Sequence, residues 1–209
     1  MAAHMRRVVE AGCELSHEEG QMLSVAYKNK VGTQRAAWRV VDATMQEESQ
    51  AGHAAHASYA AEYKTQAMRS GVQTCDEVLQ MLESDLLPRT TNPETRLFYL
   101  KMRADYYRYL AEFHLDNAEY AEKARQASQE AFAACQDNLP ATHPIRLGMA
   151  LSQAAFSYEI LRQPVTAVGI AKEALDAATP DMDGIPENQH KDVILLVSIL
   201  RDNLALWTS

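Results

Sequence analysis

The stretch SHEEGQMLSVAYKNKVGTQRAAWRVVDATMQEE, residues 16–48, decides the fold. Ser16 with Glu19 three residues on is a capping box, in which each side chain satisfies a backbone N–H of the other. No proline follows it before Pro88, and alanine, glutamate, glutamine, leucine and methionine dominate the residues beyond. Those are the strongest helix formers, so one long helix runs from Ser16 to about Glu48.

Outward from this helix the same composition persists. The 209 residues hold only 8 glycines and 7 prolines, too few turn formers for a sandwich or barrel. A short helix precedes, at about 3–12. After 48 comes an Ala/His/Gly-rich stretch, 50–58, with little pattern, and then a helix that stops at Pro88. PRTTNPE is a loop, and helices follow at about 94–115, up to Pro140, from His143-Pro144, from Pro164 to about 179, and to Trp207. Links are short, so neighbours pack antiparallel. The expectation is an all-α bundle or array of about eight helices in a single domain, 1–209.

Charge and motifs narrow the function. The net charge of −8 argues against nucleic acid as the main ligand. Residues 1–41 nevertheless carry a net +2, a hint of a local anion site. The longest aliphatic run, Val193 to Val197, is too short to cross a bilayer, and no secretory signal is visible. Three widely spaced cysteines, Cys13, Cys75 and Cys135, form no zinc pattern and read as free thiols, which makes a cytoplasmic address the default. GxSxG, GxxxxGK[ST], GxGxxG and HExxH are all missing, so no enzyme and no cofactor is expected. His53 and His56, in GHAAH, lack the further ligands a metal site needs and read as part of a solvated loop, so no metal is expected either. A metal-dependent hydrolase built on them has almost no support.

Two helices carry charge in a more informative order. Lys28, Arg35 and Arg39 stand at i, i+7 and i+11 and share one face, with Gly32 between them leaving room for something to approach the backbone. Lys101, Asp105, Arg108 and Glu112 form a second stripe at i, i+4, i+7 and i+11, with Tyr109 alongside; Leu100, Ala104, Tyr107 and Ala111 oppose it and face the core. Carboxylates one turn before and after Arg108 can orient its guanidinium for bidentate phosphate recognition. From periodicity alone, the favoured reading of each stripe is a solvated face of i,i+4 pairs. In the last helix Asn203 interrupts an apolar stripe of Leu196, Ile199 and Leu206, as a buried structural amide or as the wall of a groove.

These segments resemble the 14-3-3 protein family. The likeness is carried by LSVAYKNKVGTQRAAWRVV (23–41), FYLKMRADYYRYLAEF (98–113), HPIRLGMAL (143–151), YEIL (158–161) and LRDNLALWTS (200–209), in the family's order and spacing. It implies a cup-shaped all-helical protomer, an adaptor that regulates phosphorylated client proteins in signalling by binding their phosphoserine or phosphothreonine segments in an amphipathic groove. The family's phosphate ligands fall on Lys28, Arg35, Arg108 and Tyr109. Its groove falls on Lys101, Leu151, Leu195, Leu196, Ile199 and Asn203, with Glu159 and Trp207 nearby. Ser152 stands where the family has a second backbone-binding asparagine, and Ala155 where a valine lines the groove. The alternative is a helical interaction scaffold of the same fold with weakened or lost phosphate dependence. The family's first helix and mobile acidic tail have no counterpart in these residues, which sets the expectation of a weakened family dimer, with monomer dominant at low micromolar concentration.

Overall fold

The computed structural model describes residues 1–115 and 117–208, so Ser209, the end of the LRDNLALWTS segment, lies outside the described residues. Eight long helices order them: α1 (Ala2–Glu10), α2 (His17–Gln50), α3 (Ala54–Met81), α4 (Pro93–Phe113), α5 (Ala118–Asn138), α6 (Pro144–Glu159), α7 (Pro164–Ala178) and α8 (Glu187–Thr208). They group into two compact units, Met1–Thr91 and Asn92–Ser209. The all-α expectation holds.

The first unit is built on the α2–α3 hairpin, with α1 against α2. The capping box forms as the spacing requires: Glu19 N–H donates to Ser16 Oγ at 3.2 Å, and Ser16 N–H donates to Glu19 Oε2 at 2.8 Å. Leu23, Tyr27 and Val31 on α2 are buried, as are Cys75, Val78 and Leu79 on α3. Spacings of four follow the 3.6-residue turn, which gives each helix one apolar stripe. The hairpin is riveted at Glu77 on α3. Its carboxylate accepts from the Tyr27 hydroxyl at 2.7 Å and pairs with Lys30 and with Arg6 of α1, both at 3.2 Å.

Two expectations in this unit need correction. The 50–58 stretch is not a loop throughout: the chain turns at Gly52, and α3 begins at Ala54. Nor does Pro88 stop the helix. Leu82–Leu86 opens into a π-helical turn, in which Leu87 N–H bonds the carbonyl of Leu82, and Leu87–Arg89 continue as one more helical turn. Proline lacks the N–H that an unbroken helix would aim at Ser84, and a one-residue widening just upstream absorbs that mismatch.

The second unit starts with local caps. Asn92 Oδ1 accepts from Thr95 N–H at 3.0 Å and Pro93 takes the first helical position, so α4 starts cleanly. His143 Nδ1 accepts from Ile145 N–H at 3.2 Å and Pro144 follows, which does the same for α6. On α7, Ala167, Ala171 and Ala178 are almost wholly buried. Small residues at helical spacing let α6 and α8 approach closely, and Leu147, Ala154, Val193, Val197 and Leu200 fill the resulting core. After α7, Thr179–Gly184 form a 3-10 turn. All three cysteines are free, Cys13 exposed and Cys75 and Cys135 buried. No helix among the described residues is long and apolar enough to cross a membrane.

Candidate functional site

In the first unit, α2 carries Lys28, Arg35 and Arg39 on one face. Lys28 and Arg39 are exposed and Arg35 is half-buried. Seven residues separate Lys28 from Arg35, about 10 Å along the axis at ~1.5 Å per residue. Gly32 lies between them, and a Cβ placed there would meet nothing within 4 Å. The surface between these cations is therefore open.

In the second unit the stripe on α4 is not a solvated face. Lys101, Asp105 and Arg108 keep only 25%, 16% and 15% of their side-chain surface, and Glu112 is buried. Lys101 Nζ reaches Asp105 Oδ2 at 2.6 Å, and an Arg108 terminal nitrogen lies 3.7 Å from Asp105 Oδ1. Ser152 on α6 joins them: its hydroxyl donates to Asp105 Oδ1 at 2.5 Å and accepts from Arg108 Nε at 3.3 Å. The Arg108 guanidinium stands 4.7 Å from the ring centroid of Tyr109, within cation–π range.

Electrostatics explain why these charges survive partial burial. Burial works against the charge on Asp105, but Lys101 and Arg108 outweigh it and hold the carboxyl below its ordinary range. Burial likewise opposes the charge on Lys101; Asp105 overcomes it and raises the ammonium above its ordinary value. Arg108 is raised in the same way, by Asp105 first and then by Tyr109, Glu159 and Glu112. Lys101 and Arg108 thus stand as two cations around one carboxylate, with Glu112 and Glu159 adding negative charge beside Arg108. Desolvated donors with fixed geometry suit an oxyanion with several acceptor oxygens.

Gly148 on α6 makes the arrangement possible. A Cβ at this position would fall 3.1 Å from Lys101 Cε, closer than side chains ordinarily pack. Its role was invisible in the sequence, because nothing local says which helix crosses α4 there. Asp105 was visible as part of the stripe, four after Lys101 and three before Arg108, yet its place as the hub comes only from the structure. Ser152, which the sequence marks as a short replacement, turns out to hold Asp105 and Arg108 together.

The remaining groove candidates fall on α6 and α8. Leu151, Leu196 and Trp207 pack onto the core cluster of this unit, half-buried. The Trp207 ring stacks on Tyr158, centroids 5.0 Å apart and planes 17° from parallel. Ala155, Ile199 and Asn203 are half-buried, while Glu159 and Leu195 are exposed, Leu195 at 58%. Leu206 is 67% exposed, so the apolar stripe around Asn203 ends one turn before it.

Comparison with known proteins identifies the family. The family model described as "14-3-3 protein" matches residues 1–208. A "14-3-3 protein" of Eimeria tenella is 45% identical over 200 residues, covering 95% of this chain and 72% of the relative. "14-3-3-like protein 2" of Caenorhabditis elegans and "14-3-3 protein zeta" of Bombyx mori are each 44% identical over 211 residues, covering all of this chain and 84% and 85% of the relatives. A match of that length and identity leaves one assignment: the chain belongs to the 14-3-3 protein family.

Proposed function

We propose that this chain is a phosphoserine/phosphothreonine-binding adaptor, without chemistry of its own, acting on phosphorylated client proteins as one domain. Lys28, Arg35, Arg108 and Tyr109 are its phosphate ligands. The observation that supports this best is the Lys101–Asp105–Arg108 cluster, enclosed, with two cations around one carboxylate and Arg108 braced by Ser152. A cation restrained in this way has little rotamer freedom left to lose on binding, which favours a compact dianion over a diffuse acidic surface.

Magnitudes show what else the function requires. About three charged hydrogen bonds to a phosphate, at ~1.5–3 kcal/mol each, give ~5–9 kcal/mol gross. Micromolar affinity needs ~8 kcal/mol net, and association costs several more. Apolar contacts and main-chain hydrogen bonds must supply the difference. Leu151, Ala155, Leu196 and Ile199, all half-buried, and the exposed Leu195 are the candidates for the first, and Asn203 for the second, with Glu159 and Trp207 beside them.

The test is calorimetric titration of the chain and its Arg35→Ala variant with a phosphoserine peptide. The reading expects Arg35→Ala to weaken binding by about 2 kcal/mol or more, roughly thirtyfold. Equal affinity for parent and variant would remove Arg35 from the site.

A further inference from the structure

A second cluster of ligand atoms lies in the first unit, at the turn that folds α3 back on α2. Glu48 belongs to the last turn of α2, His53 is the N-cap of α3, and His56 sits in the first turn of α3. The chain reverses at Gly52, whose φ of +78° suits only a residue without a Cβ. His53 N–H donates to the Glu48 carbonyl at 2.9 Å, and Gly52 N–H to the Ser49 carbonyl at 3.2 Å. These are the paired 6→1 and 5→2 bonds of a Schellman closure, so the backbone itself sets Glu48 against His53. His56 follows three residues later, back on the same side.

The side chains converge accordingly. His53 Nδ1 lies 2.8 Å and His56 Nδ1 3.1 Å from the same Glu48 oxygen, Oε2. The two rings meet edge to face with centroids 5.6 Å apart. One ligand atom from each of the three residues lies within 4.8 Å of the other two. Zinc binds imidazole nitrogen and carboxylate oxygen at ~2.0–2.2 Å, which in a tetrahedral set puts ligands about 3.5 Å apart. Small side-chain movements close that gap, and rings 59% and 69% exposed are free to make them. Two imidazoles and one carboxylate suit zinc and its neighbours in the first transition row; calcium and magnesium prefer all-oxygen shells of six or more ligands.

We propose that Glu48, His53 and His56 form a three-ligand site for a divalent cation of the zinc class. The metal replaces the one contact that each ring now makes to Glu48. Each neutral ring presents Nδ1 by carrying its proton on Nε2, and water takes the fourth position. Bound there, the cation ties the end of α2 to the start of α3 and clips the hairpin on which the first unit is built. The site is independent of the phosphate ligands, none of which it shares.

The experiment is calorimetric titration of the untagged full chain with zinc chloride, on a Cys13→Ser background because Cys13 is an exposed thiol. The expected result is one zinc per chain, with His53→Ala, His56→Ala and Glu48→Gln each weakening binding at least tenfold. Zinc raises the thermal midpoint of the parent and leaves that of the His53→Ala/His56→Ala double variant unchanged; magnesium moves neither. A double variant that still binds one zinc with parental affinity would overturn the proposal, as would a parent that binds none. Circular dichroism of each variant, at these exposed positions, confirms that loss of binding is not loss of fold.

Discussion

The Ser152 hydroxyl donates a 2.5 Å hydrogen bond to Asp105, forty-seven residues earlier in the chain, and in the same position accepts one from Arg108 at 3.3 Å. One short side chain thereby fixes the distance between a carboxylate and a guanidinium on the neighbouring helix. Ser152→Ala removes both bonds and leaves Asp105 short of a donor. The expected cost is about 1 kcal/mol of folding stability, read as a lower urea midpoint at unchanged slope. Ser152→Asn offers both a donor and an acceptor from a longer side chain. It is expected to tighten phosphopeptide binding by ~1 kcal/mol, about fivefold, and to keep the requirement for phosphate. An unchanged dissociation constant in Ser152→Asn would detach this position from the peptide.

Arg108 provides a separation of charge from shape. Lysine in its place keeps the positive charge beside Asp105 but loses the planar fork and the Nε that meets Ser152. Arg108→Lys is expected to weaken phosphopeptide binding by ~1 kcal/mol and Arg108→Ala by ~2 kcal/mol or more. If Arg108→Lys bound as tightly as the parent, charge alone would be acting, and the bracing by Ser152 would be irrelevant to function.

The Glu77 rivet predicts a pH dependence with a definite sign. Burial pushes the carboxyl upward, yet the hydrogen bonds from Tyr27 and Lys30 and the charges of Lys30 and Arg6 prevail and hold it below its ordinary value. The folded state therefore releases its proton more readily than the unfolded one. Its contribution is complete above the ordinary carboxylate range and is lost as pH falls through the lowered folded value. Glu77→Gln is expected to cost about 1 kcal/mol at neutral pH and to flatten the acid limb of stability. Urea midpoints of parent and variant between neutral pH and pH 3 check this; parallel curves would contradict it.

How much of this was legible in sequence follows from the range of each interaction. The Ser16–Glu19 capping box and the prolines at 93, 144 and 164 act within one turn, and the helix starts they mark were found. The stripe of Lys101, Asp105 and Arg108 is a spacing within one helix, so its existence was visible. Its enclosure was not, because Gly148 and Ser152 lie on another helix, forty or more residues away. The start of α3 escaped for a local reason: its N-cap, His53, makes no side-chain cap bond, and Ala54 and Ala55 carry no periodic signal. The same gap hid Glu48, since a His pair three apart can be read from one helix while its third partner ends the helix before.

The central claim, phosphate-dependent peptide binding, is tested most directly by fluorescence anisotropy with one labelled peptide in two forms, phosphorylated on a single serine and unmodified. Saturable binding of the phosphorylated form is expected, with at least a hundredfold weaker binding of the unmodified one, ~2.7 kcal/mol for the lost charged contacts. Equal affinity for the two forms would contradict it, and would leave a helical scaffold that holds its partners by apolar contact alone.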